Sequence, residues 1–112
     1  MTLPDLLEEL KVADPETYEE ISHLEFVGWH QPRNLALDHL QGCIQRACER
    51  YGWELEQNYR TRGRNGVLPK NIRHYAVVTS WDNDVHTYRG MGNSATKALL
   101  AAYVAAVKEE KR

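Results

Sequence analysis

NLALDHLQGCIQRACERYGWELEQNY, residues 34–59, contains the change of period that decides the fold. Leu37, Leu40, Ile44, Ala47, Cys48 and Tyr51 recur at the i, i+3, i+4, i+7 spacing of one helical face. Gly52 then supplies a stop, because glycine takes the left-handed conformation that ends helices at little cost. Directly after it, Trp53, Leu55, Gln57 and Tyr59 alternate with Glu54, Glu56 and Asn58, the period of a strand with one face on a core. A helix that runs into a half-buried strand predicts helices packed on a sheet.

Outward from this stretch, the segment from Arg60 to Asn71 has two glycines, one proline and no period, and reads as a long loop. Unstructured connections of that length are uncommon in compact domains and are often functional. His74 to Trp81 is rich in β-branched and aromatic residues, Asp82-Asn83-Asp84 has turn chemistry, and Val85 to Arg89 alternates, which together predict a hairpin. Gly90-Met91-Gly92-Asn93-Ser94 reads as a turn into a last helix from Ala95 to about Glu110, with Ala98, Leu99, Ala102 and Ala106 on one side and Leu100, Tyr103, Val104 and Val107 beside them. Such a small, wide apolar face suits close packing on a sheet.

Toward the N-terminus, Thr2 and Asp5 have capping-box spacing, and Leu3, Leu6, Leu7 and Leu10 repeat with helical period. Asp14-Pro15 ends that helix and can start another, since aspartate accepts from free helix amides and proline fits the first helical position. Tyr18, Ile21 and Leu24 mark the apolar side of this acidic second helix, and Phe26 to Arg33 reads as a connector. The expected fold is α+β, a three-stranded or slightly larger antiparallel sheet packed with helices in the order α-α-α-β-β-β-α. It is one domain over residues 1–112, with a helical leader at 1–33 and an αβββα core at 34–112.

At 112 residues, with 42% hydrophobic and 27% charged side chains, the chain has the balance of one ordinary globular domain. It buries roughly two-thirds of its unfolded surface, enough for one core but not for a separate catalytic lobe. Function is therefore expected on a surface or an interface. The net charge of −2 conceals an asymmetry: residues 1–56 carry four basic against twelve acidic side chains, and residues 57–112 carry ten against four. The leader is at −7 over residues 1–25, whereas residues 57–75 are at +5. Polarity of this kind suits a charged ligand, or a homo-oligomer in which one subunit's acidic helices meet another's basic segment. Cys43 and Cys48 lie five apart on one helix and cannot bridge within it, and no signal peptide opens the chain, so a reducing cytoplasmic setting is expected. No apolar run approaches the roughly 18 residues of a membrane span, and no membrane partner is expected.

The chemistry concentrates in two places. Arg60, Arg62, Arg64, Lys70 and Arg73 fall within fourteen residues, interleaved with Tyr59 and Tyr75. Arginine offers planar, multi-donor recognition of phosphate, and a tyrosine can stack on a base. The Gly-x-Gly-Asn-Ser stretch at a helix start suits an anion because unpaired first-turn amides and the helix dipole both favour negative charge there. Arg89 stands just before it. The bland alternatives are a solvated loop and an ordinary Asn or Ser cap. The candidate ligand-binding residues are Arg60, Arg62, Arg64, Arg73, Tyr88, Arg89, Asn93 and Ser94.

Catalysis has little support, and neither metal nor cofactor is expected. His39 and Cys43 share helical spacing without further metal ligands. Turn chemistry alone accounts for Asp82 and Asp84 near His86, and Ser80, Asp84 and His86 lie on one local hairpin.

The opening Thr2-Leu-Pro-Asp-Leu-Leu-Glu-Glu-Leu10, the Leu35-Ala-Leu-Asp-His-Leu helix ending at Tyr51-Gly-Trp-Glu-Leu55, and the Ala95–Ala106 helix resemble the phage αβα-sandwich family. That layout is a leucine-rich leader, a helix ending in Gly-Trp, a hairpin and an alanine-rich final helix. One branch consists of anti-Thoeris sponges, which sequester cyclic ADP-ribose isomers made by bacterial TIR-domain enzymes. Related members hold cyclic oligonucleotides within oligomers. The resemblance implies a viral anti-defence protein in the cytoplasm of an infected bacterium that binds a cyclic nucleotide without hydrolysing it. It carries no residue assignments, so the candidates above rest on their chemistry.

Residues 35–112 also resemble double-stranded-RNA-binding domains, in element order and in Gly90–Ser94 leading to Lys97. That family has a lysine cluster for A-form phosphates where this chain has only Lys97. A third reading is an acidic protein blocker, in which Asp5, Glu8, Glu9, Asp14, Glu16, Glu19, Glu20 and Glu25 imitate nucleic-acid charge and occupy a basic host protein.

Overall fold

The structure is a computed structural model that describes residues 3–28, 33–81 and 83–110. Helices α1 (Leu3–Ala13), α2 (Pro15–Gly28) and α3 (Arg33–Tyr51) precede strand β1 (Glu54–Tyr59). Two short strands, β2 (Arg62–Gly63) and β3 (Gly66–Val67), and a 3₁₀ turn at Lys70–Ile72 follow. Strands β4 (His74–Ser80) and β5 (His86–Gly92) and helix α4 (Ala95–Glu110) complete the order. The main sheet is antiparallel in the order β1-β4-β5, and the fold is the α+β arrangement expected from the change of period.

Three boundaries differ from the sequence reading. Helix α2 continues through Gly28, over part of the expected connector. The segment after β1 is not a structureless loop, because β2 and β3 pair inside it, with Arg62 opposite Val67 and Gly63 opposite Gly66. Strand β5 runs through Gly92, so Gly90, Met91 and Gly92 belong to the sheet rather than to a turn. The Thr2 half of the expected capping box and the Asp82 position of the hairpin turn lie outside the described residues.

Helix α4 is the centre of the molecule. Ala98, Leu99, Leu100, Ala102, Tyr103 and Ala106 are fully buried, because β4 and β5 lie on one side of the helix and α1 and α3 on another. From the sheet, Ala76 and Val78 face α4, and Gly90 does so without a side chain. A Cβ at Gly90 would run into the Ala98 carbonyl oxygen and lie 2.5 Å from the Ala102 nitrogen. Helix and strand backbones therefore meet there at a distance only glycine permits.

Leu6 and Leu10 of α1 and Ile21 of α2 are buried in the same core, so the leader is part of it. Asp14, between α1 and α2, is 1% exposed. Its carboxylate accepts from the hydroxyls of Tyr103 at 2.6 Å, Thr17 at 2.7 Å and Tyr51 at 3.3 Å. The Thr17 amide also points at it, at 3.4 Å. A buried carboxylate is tolerable only with such a set of donors. Tyr51, Trp53 and Tyr103 then pack in sequence as tilted rings, with centroids 4.7 and 6.0 Å apart, and carry the helical side of the core over to β1.

Register assigns the two sheet faces. Leu55, Val78 and Tyr88 form one row toward the helices, whereas Glu54–Thr79–Thr87, Glu56–Val77–Arg89 and Asn58–Tyr75–Met91 form three rows on the other face. Among the described residues no helix packs on that second face.

Candidate anion-binding site

The basic segment is a built arm. The Arg60 amide donates to the Arg73 carbonyl at 2.8 Å, and the Leu68 amide to the Thr61 carbonyl at 2.8 Å. The Arg73 side chain donates from Nε to the Leu68 carbonyl at 3.0 Å. These bonds close the base of the excursion, and Gly66, with φ of 110°, makes the β2–β3 turn that a side chain would strain. Arg62, Arg64 and Lys70 project from this arm into solvent. Arg60 lies back over the sheet, its guanidinium carbon 5.5 Å from the centroid of the Tyr75 ring. That is cation–π distance, and it leaves the outer edge of the guanidinium free to donate.

Register also brings the two suspected regions to one end of the molecule. Tyr59, His74 and Gly92 are cross-strand partners, so β5 ends beside the strand ends that carry Arg60 and Arg73. Asn93 and Ser94 follow at once, and Asn93 is exposed.

The sequence-selected residues then divide. Arg60, Arg62 and Arg64 share the basic end, and Arg89 lies exposed on the open face, one row away from Tyr75 and Met91. Arg73 spends its Nε donor on holding the arm. Ser94 caps α4: its hydroxyl accepts from the Lys97 amide at 3.1 Å, and its carbonyl accepts from Ala98. Tyr88 is on the helical side, where its hydroxyl donates to Glu110 Oε1 at 2.8 Å. Its burial and then that carboxylate push the phenol up to about 12. Adjacent strand residues point to opposite faces, so Tyr88 and Arg89 cannot serve one ligand.

The glycines do not form an anion cradle either. Neither Gly90 nor Gly92 has the left-handed backbone of a turn, and the Lys97 stem lies against Gly92, 3.1 Å from where a Cβ would be. Sequence pattern missed this because a Gly-x-Gly before a helix has the same composition in either role. The signal that distinguishes them is the small-residue run Ala98, Ala101, Ala102, which needs a partner equally small.

Among the described residues, none of Arg60, Arg62, Arg64, Lys70 and Arg89 forms an ion pair. The acidic helices are partly neutralised at home: Glu20 meets Arg46 at 3.2 Å and Arg50 at 3.5 Å, and Glu9 meets Lys108 at 3.4 Å. The basic end therefore keeps its field.

Nucleophiles are poorly placed. Cys48 is buried and its thiol is pushed up to about 12 by desolvation, and burial followed by the charge of Glu20 raises that of Cys43. Ser80 is fully buried, and Asp84 accepts from the Val85 amide at 2.8 Å within its own turn. Among the described residues no three His, Cys, Asp or Glu side chains gather as a metal site, and no helix is long and apolar enough to cross a membrane.

No family model, no curated protein and no solved structure matches the chain.

Proposed function

We propose that this protein captures a phosphate-bearing nucleotide at the basic end of its sheet and holds it without altering it. The supporting observation is Arg60 seated on the Tyr75 ring beside an arm bearing Arg62, Arg64 and Lys70, all without carboxylate partners among the described residues. Phosphate oxygens take the guanidinium donors, and the Arg60–Tyr75 pair offers a flat surface to a base. Asn93, beside the capped start of α4, adds a polar contact at the same end. The buried thiols and hydroxyl favour holding over cleaving. Together with the phage αβα-sandwich resemblance, the reading is an anti-defence sponge for a cyclic nucleotide signal inside an infected bacterium.

Calorimetric titration with cyclic ADP-ribose isomers and with cyclic di- and trinucleotides tests it. The expected result is saturable binding of one of them, with intact ligand recovered after heat denaturation. Recovery of altered product means an enzyme, and binding of none of them removes the proposal.

Duplex RNA is the second reading, favoured by one observation: α3 and α4 lie on the same face of a three-stranded antiparallel sheet, in the helix–strands–helix order of that resemblance. Its binding would weaken steeply with salt, because each phosphate contact releases a counterion. It ranks second because Glu20 already engages Arg46 and Arg50, two exposed cations of α3.

A further inference from the structure

We infer that two copies of this chain pair through the uncovered face of the sheet, about a two-fold axis parallel to β4. The middle row of that face reads Glu56, Val77, Arg89 across β1, β4 and β5, an acid and a base on either side of an aliphatic centre. A two-fold axis along β4 exchanges the outer strands while keeping each row level. It lays Glu56 of one copy over Arg89 of the other, twice, and Val77 over its own counterpart. The alternative axis, across the strands, sets Glu56 on Glu56 and Arg89 on Arg89, and like charges in direct opposition are destabilising. The charge pattern thus selects a single isologous arrangement.

The next row contributes at its ends, while its centre sets Tyr75, with Arg60 over its ring, opposite its own counterpart and so weakens the pairing. At those ends Asn58 would cover the other copy's Met91, a methionine that is 56% exposed in the single chain. Aligned sheets tolerate this stacking at roughly 30° between strand directions and about 10 Å between sheets. Neither Glu56 nor Arg89 has an ion pair among the described residues, and Glu56 only receives a 3.3 Å contact from Asn58. Both are therefore available to a partner.

Area sets the strength. Three strands about 4.8 Å apart and about 20 Å long offer roughly 300 Å² per copy, below the roughly 800 Å² of a standard interface. Exposed apolar residues at the hairpin end, Trp81 and Val85, are 55% and 53% exposed and extend it. The association is accordingly a reversible one. The inference rests on observations separate from the nucleotide reading, but the face it uses includes Tyr75 with Arg60 over its ring, so bound nucleotide should shift the dimer toward monomer while the ligand-free chain still pairs.

Sedimentation equilibrium between about 10 μM and 1 mM tests it, the range set by an interface of this size. The wild-type chain should pass from monomer to dimer within that range. Because symmetry doubles every substitution, Glu56→Arg and Arg89→Glu alone should each raise the dissociation constant about tenfold or more. The two combined recreate the pairs with charges exchanged and should return it to within about threefold of wild type. Val77→Arg, at the centre, should give monomer throughout. Circular dichroism of each variant checks that it has folded. A wild-type chain that stays monomeric overturns the inference, as does a dimer indifferent to the single reversals or one that the double reversal fails to restore.

Discussion

The Tyr103 hydroxyl donates to the Asp14 carboxylate across 2.6 Å, joining the last helix to the junction of the first two over 89 positions of sequence. Thr17 and Tyr51 complete the donor set. Asp14→Ala strands three hydroxyls in a dry region and removes the acceptor at the α2 start, so a loss of about 3–5 kcal/mol is expected in urea denaturation. Tyr103→Phe removes one donor of the set and should cost about 1–3 kcal/mol. A loss under about 0.5 kcal/mol in either variant would mean that the leader is held by apolar packing alone.

Alkali should loosen the same region. Burial, and then the hydrogen bond to Asp14, push the Tyr103 phenol far above its ordinary value of 10.0. Burial and Glu110 take Tyr88 to about 12, and burial takes the Cys48 thiol to about 12 from 9.0. Each group holds its proton more tightly in the folded chain than in the unfolded one. Their stabilising contributions are complete below the unfolded values and are lost as pH rises past them. Unfolding free energy should therefore decline from about pH 9 upward. At pH 8 the two thiols should react with a disulfide reagent far more slowly than in urea, and rapid native labelling would contradict their burial.

How far the sequence discloses this molecule depends on the range of each interaction. Helix α3 is legible because its stripe repeats from Leu37 to Tyr51, and β1 because Leu55 alternates with acids directly after Gly52, whose φ of 69° is the expected helix-ending conformation, although Gln57 and Tyr59 of the expected inner face are exposed. The β2–β3 ladder is not legible, since two residues per strand cannot display a period. Tyr88 and Arg89 are both candidates by their chemistry, but period alone does not say which parity faces the helices, and parity separates the two. The Asp14–Tyr103 bond leaves no local trace: Asp14 reads only as a cap. For the site, composition locates the basic end, while the convergence of Arg60 with the end of β5 depends on strand register, which the sequence does not display.

Gly90 measures how tightly α4 lies on the sheet. Its missing Cβ would collide with backbone of Ala98 and Ala102 and with the Ala101 side chain, none of which can rotate aside. Gly90→Ala should therefore cost about 3 kcal/mol or prevent folding. Gly63→Ala is the comparison: its Cβ would meet the Leu68 Cδ2, the end of a flexible side chain, at 2.9 Å. That variant should lose no more than about 1 kcal/mol. Equal losses in thermal or urea melts would show that the helix–strand contact is not what makes glycine necessary at position 90.

Arg60 and Ser94 separate binding from architecture at one end of the fold. Ser94 accepts from the Lys97 amide, the ordinary work of an N-cap, so Ser94→Ala should lower stability by about 1 kcal/mol. Nucleotide affinity should change little. Arg60 lies over Tyr75 without a carboxylate, so Arg60→Ala should leave stability within about 0.5 kcal/mol of wild type, as surface substitutions generally do. It should weaken the nucleotide about tenfold or more through loss of a charge-assisted contact. Arg60→Lys keeps the charge but not the planar fork and should fall between the two. Calorimetric titration of the three variants beside their urea melts gives the answer. If Ser94→Ala abolishes binding while Arg60→Ala spares it, the anion sits on the helix start and not on the arginine-covered tyrosine.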